Sequence, residues 1–275
     1  MIFRLYWTRG EVYMFDSHIH ISEEYKSATE AIAALQRILS ENNVKGGILI
    51  PLLNSKYSLE SILEASKQSF NLKIVPHLNP MDNGFDPKTI YDLVDKGIVG
   101  IKLHPRRDTY NLTGERIYEV IRIAGELNLT VNICSFWDGT WSRYGLTIDS
   151  FGDLADKFPG TRFVWCHFGG HKILDFMMML RRRDNVFADT SLVQDYFFKG
   201  SVKEDLIYVL ESLKGERILF GSDFPEKSYE DILESSIAFY EKFLDEKYRV
   251  SILEKILVGN FHLAYPNSIL FYRQA

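Results

Sequence analysis

Eight short apolar runs, each followed by a longer segment of helical period, restrict this chain to a narrow set of architectures. The runs are MFDSHIH (14–20), GGILIPL (46–52), KIVPHLN (73–79), IVGIKLH (98–104), TVNICSF (130–136), RFVWCHF (162–168), NVFADTS (185–191) and RILFGSD (217–223). Their starts span 203 residues over seven intervals, a mean of about 29, the length of one strand-plus-helix unit. Between them, Ala31, Ala34, Leu35, Ile38 and Leu39 follow the stripe of an amphipathic helix. Similar stripes occur at Leu59, Ile62 and Leu63, at Ile117, Val120, Ile121 and Ala124, and at Leu206, Val209, Leu210 and Leu213.

Strands alternating with helices imply a parallel sheet covered by helices. An open doubly wound sheet and a closed barrel compete for that pattern. Eight units in 275 residues favour the barrel. No helix opens on a Gly-rich phosphate fingerprint, and HFGGH lacks the spacing. The expected fold is α/β, a single-domain (β/α)8 TIM barrel over residues 14–265. Residues 1–13 are expected to be an N-terminal extension, because Met14 directly precedes FDSHIH, and 266–275 a C-terminal tail.

Composition removes several function classes. A 46% hydrophobic fraction with 25% charged residues describes a globular chain with a sizeable core. A net charge of −5 argues against a broad nucleic-acid footprint. No window reaches the eighteen or so apolar residues of a spanning helix, and the opening segment lacks a signal peptide's apolar run. Two cysteines, Cys134 and Cys166, cannot build a disulfide framework, so a cytoplasmic location is expected. The expected partner is a small-molecule substrate, with no nucleic acid and no membrane. Should the chain self-associate, a homodimer is the commonest arrangement.

Strand alternation then locates the chemistry, because residues two apart share a face. In the first run Asp16, His18 and His20 share one face, opposite Phe15, Ser17 and Ile19. In the fourth, Gly100, Lys102 and His104 fall together; in the sixth, Trp165 and His167; in the eighth, Leu219, Gly221 and Asp223. Cys166 is expected to face the helices. Four strands thus deliver His, Lys or Asp to the barrel end where active sites sit. A His-x-His pair at a strand end can place two imidazoles on one ion. Simpler structural readings accompany each residue: His77 and His262 as ordinary structural histidines, Asp223 as a loop cap, Lys102 as the partner of Asp16 in a buried ion pair.

Taken in order, FDSHIH, GIKLHP, WCHFGGH, FADTS, LFGSDFP and the closing VGNFHLAY resemble the amidohydrolase superfamily. The closer resemblance is to its amidohydrolase-2 branch, which includes decarboxylases of the aminocarboxymuconate-semialdehyde type. The match runs over about residues 14 to 265. It implies a metal-dependent barrel enzyme using Zn2+ or another divalent metal. It also implies His18, His20, Asp223 and His167 around the ion, with Asp223 and His167 catalytic. Lys102 and His104 would line the pocket and hold an anionic group, with Arg106 as a further anchor.

One departure concerns the fifth strand, where that pattern places a metal-binding histidine and this chain has Cys134, on the face of Asn132. A thiolate ligates zinc, so Cys134 is one candidate to complete the set. His104 is another, and Cys134 as a small apolar filler is a third reading. The segment FWDGTWSRYGLT (136–147) reads as a loop over the barrel mouth, with Trp137 and Arg143 as substrate contacts. The expected activity is a metal-dependent hydrolase, with activated water attacking a C–N or C–O carbonyl bond of a small carboxylated substrate. The alternatives are a metal-dependent decarboxylase on the same barrel, a metal-independent lactonase and, last, a non-enzymatic barrel.

Overall fold

The computed structural model describes residues 13–267 apart from Phe70 and Phe198 and the side chain of Asp195. The expected N-terminal extension, except Tyr13, and most of the expected C-terminal tail therefore lie outside the described residues.

The strands are β1 (Met14–Ile19), β2 (Val44–Leu49), β3 (Leu72–Ile74), β4 (His77–Leu78), β5 (Gly100–Leu103), β6 (Thr130–Cys134), β7 (Arg162–Cys166), β8 (Val186–Asp189) and β9 (Ile218–Leu219). All pair in parallel, β1 to β3 in one set and β4 to β9 in another. β3 and β4 are two pieces of the third run, separated at Val75 and Pro76, where proline has no N–H to donate. Backbone bonds carry the barrel across that gap: Val75 N donates to Leu49 O (2.9 Å) and Lys102 N to Pro76 O (2.8 Å). The last seam closes when Ser17 N donates to Phe220 O (2.9 Å) and His20 N to Phe224 O (2.7 Å). The eight runs therefore form a TIM barrel.

Main helices follow the strands: α1 (Ala28–Glu41), α2 (Leu59–Ser66), α3 (Thr89–Asp95), α4 (Glu115–Glu126), α5 (Ile148–Lys157), α6 (Ile173–Leu180), α7 (Val202–Ser212) and α8 (Tyr229–Phe243). Side chains at their starts satisfy orphan backbone donors, as Ser27, Ser58, Thr147 and Ser228 do at α1, α2, α5 and α8. The last helices among the described residues are α9 (Glu246–Glu254) and α10 (Asn260–Ala264). From α10, Phe261 stacks on Phe15 at 4.7 Å and Thr130 donates to Ala264 O at 2.6 Å. Tyr265, just beyond it, accepts a bond from Asn132 Nδ2 at 2.8 Å. These contacts plug the barrel end opposite the strand exits.

Two buried clusters separate the faces. Ile101, Leu103, Val131, Ile133, Phe163 and Trp165 join the helices, whereas Phe15, Val164, Cys166, Phe187, Leu219 and Phe261 pack inside the barrel. This corrects the expectation for the sixth run. Trp165 packs on Phe151 and Phe176 of α5 and α6, and Cys166 points inward. Strand alternation does not extend to His167, which lies beyond the strand in a left-handed conformation at φ 66°. The first strand departs from strict alternation too. Its pairing with β2 shifts register between Asp16 and Ile19, so Phe15 and His18 both reach the interior although an odd number apart.

Candidate active site

His18 and His20 leave β1 at the open end of the barrel, and the bonds of their Nδ1 atoms assign their protons. His18 Nδ1 lies 2.9 Å from Asp189 Oδ2, and His20 Nδ1 lies 2.8 Å from the carbonyl of Ile50. A carboxylate and a carbonyl only accept, so both rings donate from Nδ1 and carry their lone pair on Nε2. Both Nε2 atoms face Asp223 Oδ1, at 3.3 Å from His18 and 3.2 Å from His20. Three acceptors thus converge with no hydrogen between them. His18 Nε2 and Asp223 Oδ1 are buried and have no hydrogen-bond partner among the described residues.

That arrangement fits a divalent ion. The donor set is two imidazole nitrogens and one carboxylate, as in catalytic zinc sites that keep a position open for water. A second group, His18, Cys166 and Asp189, is equally close-packed. His18 donates its Nδ1–H to Asp189, so its one lone pair serves the group with His20 and Asp223. Asp189 is then the orienting carboxylate behind a ligand histidine.

Asp189 is the residue that sequence reasoning missed. It is fully buried at the end of β8 and accepts from His18 Nδ1, from the backbone N–H of His167 (2.9 Å) and Ser191 (3.1 Å), and from the Ser191 hydroxyl. Burial alone would raise its pKa; His18, His167 and Ser191 hold it well below the usual carboxylate range. Asp223 is held down in the same way, against its burial, by His18, His20 and His167. The signal was available in NVFADTS, where alternation puts Phe187, Asp189 and Ser191 on one face. Gly221 belongs to the same group: a Cβ there would lie 3.0 Å from His18 Cβ and 3.1 Å from Ser191 Cβ.

His167 stands beside this group, its ring centroid 4.8 Å from that of His18. Its Nδ1 lies 2.8 Å from Ser191 Oγ. The Ser191 hydroxyl is committed to Asp189, so His167 donates from Nδ1 and leaves Nε2 to Cys134 and the cluster. The following turn continues through Phe168 at φ 40° and Gly169 at φ 76°. A Cβ on Gly169 would lie 2.2 Å from the Phe176 ring, so the turn that swings His167 inward requires glycine. Asp223 itself sits at φ 59°. Non-glycine residues in this region concentrate at functional sites.

Cys134 faces inward as expected, next to His167, Lys102 and Arg106. Burial would push its thiol up; the hydrogen bond with His167 and the charges of His167, Lys102 and Arg106 outweigh that and bring it down to about 7. It belongs to neither close-packed ligand group. Cys166, by contrast, is pushed well above the ordinary thiol range by burial, so it stays protonated. Lys102 is 1% exposed, and its ammonium has no hydrogen-bond partner among the described residues. Asp16 is not its counter-ion. The Asp16 carboxylate accepts from the Tyr229 hydroxyl at 2.6 Å and from the backbone of His18 and Ser222, away from the histidine cluster.

The other expected residues divide. His104 accepts at Nδ1 from Arg107 N (3.3 Å), which puts its proton on Nε2 and makes it a donor rather than a ligand. Burial, with the nearby charges of Lys102, His77 and Arg106, lowers its pKa well below the ordinary value, so the ring is neutral. Arg106 pairs with Asp138 at 3.2 Å and lies over the Phe136 ring. Trp137 packs on the buried Trp141, which stacks on Phe151 and serves the loop's own packing. Arg143 is exposed on the short turn Trp141–Tyr144, and its side chain has no hydrogen bond or ion pair among the described residues.

Comparison with known proteins gives a family and a fold. A family model described as amidohydrolase matches residues 74–260. No curated protein matches the chain at a significant level. Among solved structures, an uncharacterised TIM-barrel protein from Bordetella bronchiseptica is similar with a TM-score of 0.74 at 14% identity, over 94% of this chain and 99% of that one. A probable 2-pyrone-4,6-dicarboxylic acid hydrolase from Acinetobacter baumannii, with citric acid bound, gives 0.66 at 16% identity, over 93% and 100%. An amidohydrolase from Burkholderia multivorans with bound zinc gives 0.63 at 14%, over 93% and 99%. At such identities these likenesses establish the fold.

Proposed function

The chain belongs to the amidohydrolase family, and from that premise we propose that it is a metal-dependent hydrolase of a small carboxylated substrate, cleaving a C–N or C–O bond at a carbonyl. The observation that carries the reading is the convergence of His18 Nε2, His20 Nε2 and Asp223 Oδ1, all acceptors, with His18 and Asp223 buried and His20 partly open to the barrel mouth. These three residues would hold the ion, which supplies Lewis acidity to polarise a carbonyl and activate water. Zinc is the proposed ion, in keeping with the donor set.

The protein's own groups then divide the work. Asp223, ionised and beside both histidines, takes the proton of the attacking water and passes it to the leaving group. His167, its ring fixed through Ser191 and Asp189, stands beside the cluster to stabilise the developing oxyanion. His104 offers a neutral Nε2–H. Lys102 and Arg106 supply the positive charge that draws a substrate carboxylate to the β5 and β6 side of the mouth. No helix among the described residues is long and apolar enough to cross a membrane, and both cysteines are free, in keeping with a cytoplasmic enzyme.

Elemental analysis of the purified chain tests the reading. The expected result is about one divalent ion per chain, lost in the double variant His18→Ala/His20→Ala together with hydrolysis of a panel of carboxylated amides and lactones. A metal-free protein with lactonase activity would falsify it.

A further inference from the structure

Two cavities adjoin at the barrel mouth on the side of β2 and β4. One, of about 330 Å³, is lined by His20, Ile50, Leu52, Ser55 and Glu226. The other, of about 230 Å³, is lined by Pro51, Leu52, Leu53, Tyr57, Pro76 and His77. They share Leu52 and Ser55, so the second opens off the space beside a proposed ligand histidine.

The second cavity contains polar side chains that are already committed. His77 Nε2 donates to Asp108 Oδ2 at 2.7 Å, and its Nδ1 accepts from Leu53 N at 3.4 Å. The Tyr57 hydroxyl donates to Tyr25 O at 2.5 Å, and Ser55 Oγ accepts from Tyr57 N at 3.3 Å. Ser58 Oγ, also on the lining, accepts from Ser61 N at 3.2 Å. What remains for a ligand is mainly ring carbon, two prolines and three leucines, one of them, Leu53, 58% exposed at the opening. A polar ligand would find few free partners there and would lose its hydration.

From this we infer that the second cavity is a substrate subsite for an apolar arm, aliphatic or aryl, attached to the group that reacts beside His20. The inference rests on the metal-centre reading and adds the chemical class of the substrate's far end. The carboxylate of the same substrate lies towards Lys102 and Arg106, so the molecule carries charge on one side of the reacting carbonyl and apolar surface on the other.

Hydroxamates test it, since their head group binds a zinc centre and their tail can be varied. Acetohydroxamate and hexanohydroxamate are titrated calorimetrically into the zinc-loaded full chain. The longer probe, by about four methylenes, is expected to bind about 50-fold more tightly or better. Leu53→Trp, which fills the opening, and Leu53→Asp, which charges it, should each abolish most of that gain and leave acetohydroxamate unchanged. Leu53 is exposed, so neither change touches the core. Equal affinity for the two probes in the native chain overturns the subsite, as does a gain that persists undiminished in both variants. If the long probe binds and the short one does not, the metal reading fails and the subsite stands; if neither binds, both fail.

Discussion

His18 Nδ1 lies 2.9 Å from Asp189 Oδ2, and this one contact decides which way the first ligand candidate points. Donating its Nδ1–H to a buried carboxylate, His18 presents Nε2 to Asp223 and cannot turn over without leaving Asp189 Oδ2 unpaired. Replacing Asp189 by Asn keeps the shape and removes the charge that orients the ring. Zinc affinity, measured by competition with a chromophoric chelator, is expected to fall about 10- to 100-fold. An unchanged affinity would mean that Asp189 orients nothing the ion needs.

Most of this centre could be read from alternation along the strands, and the exceptions have physical reasons. His18, His20, Lys102, Cys134 and Asp223 point inward as period two requires. Asp16 leaves their company because the β1–β2 register shifts behind it, which no residue count registers. Cys166 and His167 are adjacent and both point inward because the backbone turns left-handed at His167. Asp189 went unassigned because its partners come from β1 and the turn after β7, distant in sequence and joined only when the barrel closes.

Cys134 is expected to titrate near pH 7, its charges from His167, Lys102 and Arg106 overcoming its burial. The thiolate absorbs in the ultraviolet, so the native spectrum minus that of Cys134→Ser should show one transition centred near 7. In Lys102→Met the midpoint should move up towards the ordinary thiol range, because a stabilising charge is gone. The sign for folding follows from the lowered pKa: any contribution of this thiolate to stability grows as pH rises from about 7 to 9. A midpoint unmoved by Lys102→Met would place that ammonium too far away to matter.

Gly221 keeps β9 close to the cluster. Alanine there would press on His18 and Ser191 at 3.0 and 3.1 Å, and both are held by bonds to Asp189. A loss of about 1–3 kcal/mol of stability is expected, with weaker zinc binding because His18 must shift. Gly221→Ala with native affinity and native melting temperature would show that the ring has room to give.

Asn260 ties the terminal plug to the last strand, its Nδ2 donating to Gly215 O and Ile218 O, both at 2.7 Å. Asn260→Ala should cost about 2–4 kcal/mol, since two buried carbonyls lose their partner. The effect should fall on the whole barrel, as a lower denaturation midpoint, with zinc affinity per folded molecule unchanged. Reduced affinity at full folding would tie the plug to the centre itself.

Asp16 gives the pH dependence of folding an unusual direction. Burial raises its pKa to about 6, although the Ser222 and Tyr229 side chains and the backbone N–H groups of His18 and Ser222 bond to it and pull the other way. A carboxyl whose folded pKa lies above its unfolded value binds its proton more tightly when folded. It therefore costs stability as pH rises from about 4, and the cost is complete above about 6. Two units correspond to about 3 kcal/mol. Asp16→Asn removes the titration and retains an acceptor for the backbone N–H groups. Urea midpoints of the two proteins at pH 4 and pH 7 provide the comparison. The variant should gain on the native chain by about that amount between the two pH values, whatever fixed offset the substitution brings. A gap that stays constant with pH would show that Asp16 folds at its ordinary proton affinity, with its four donors cancelling the cost of burial.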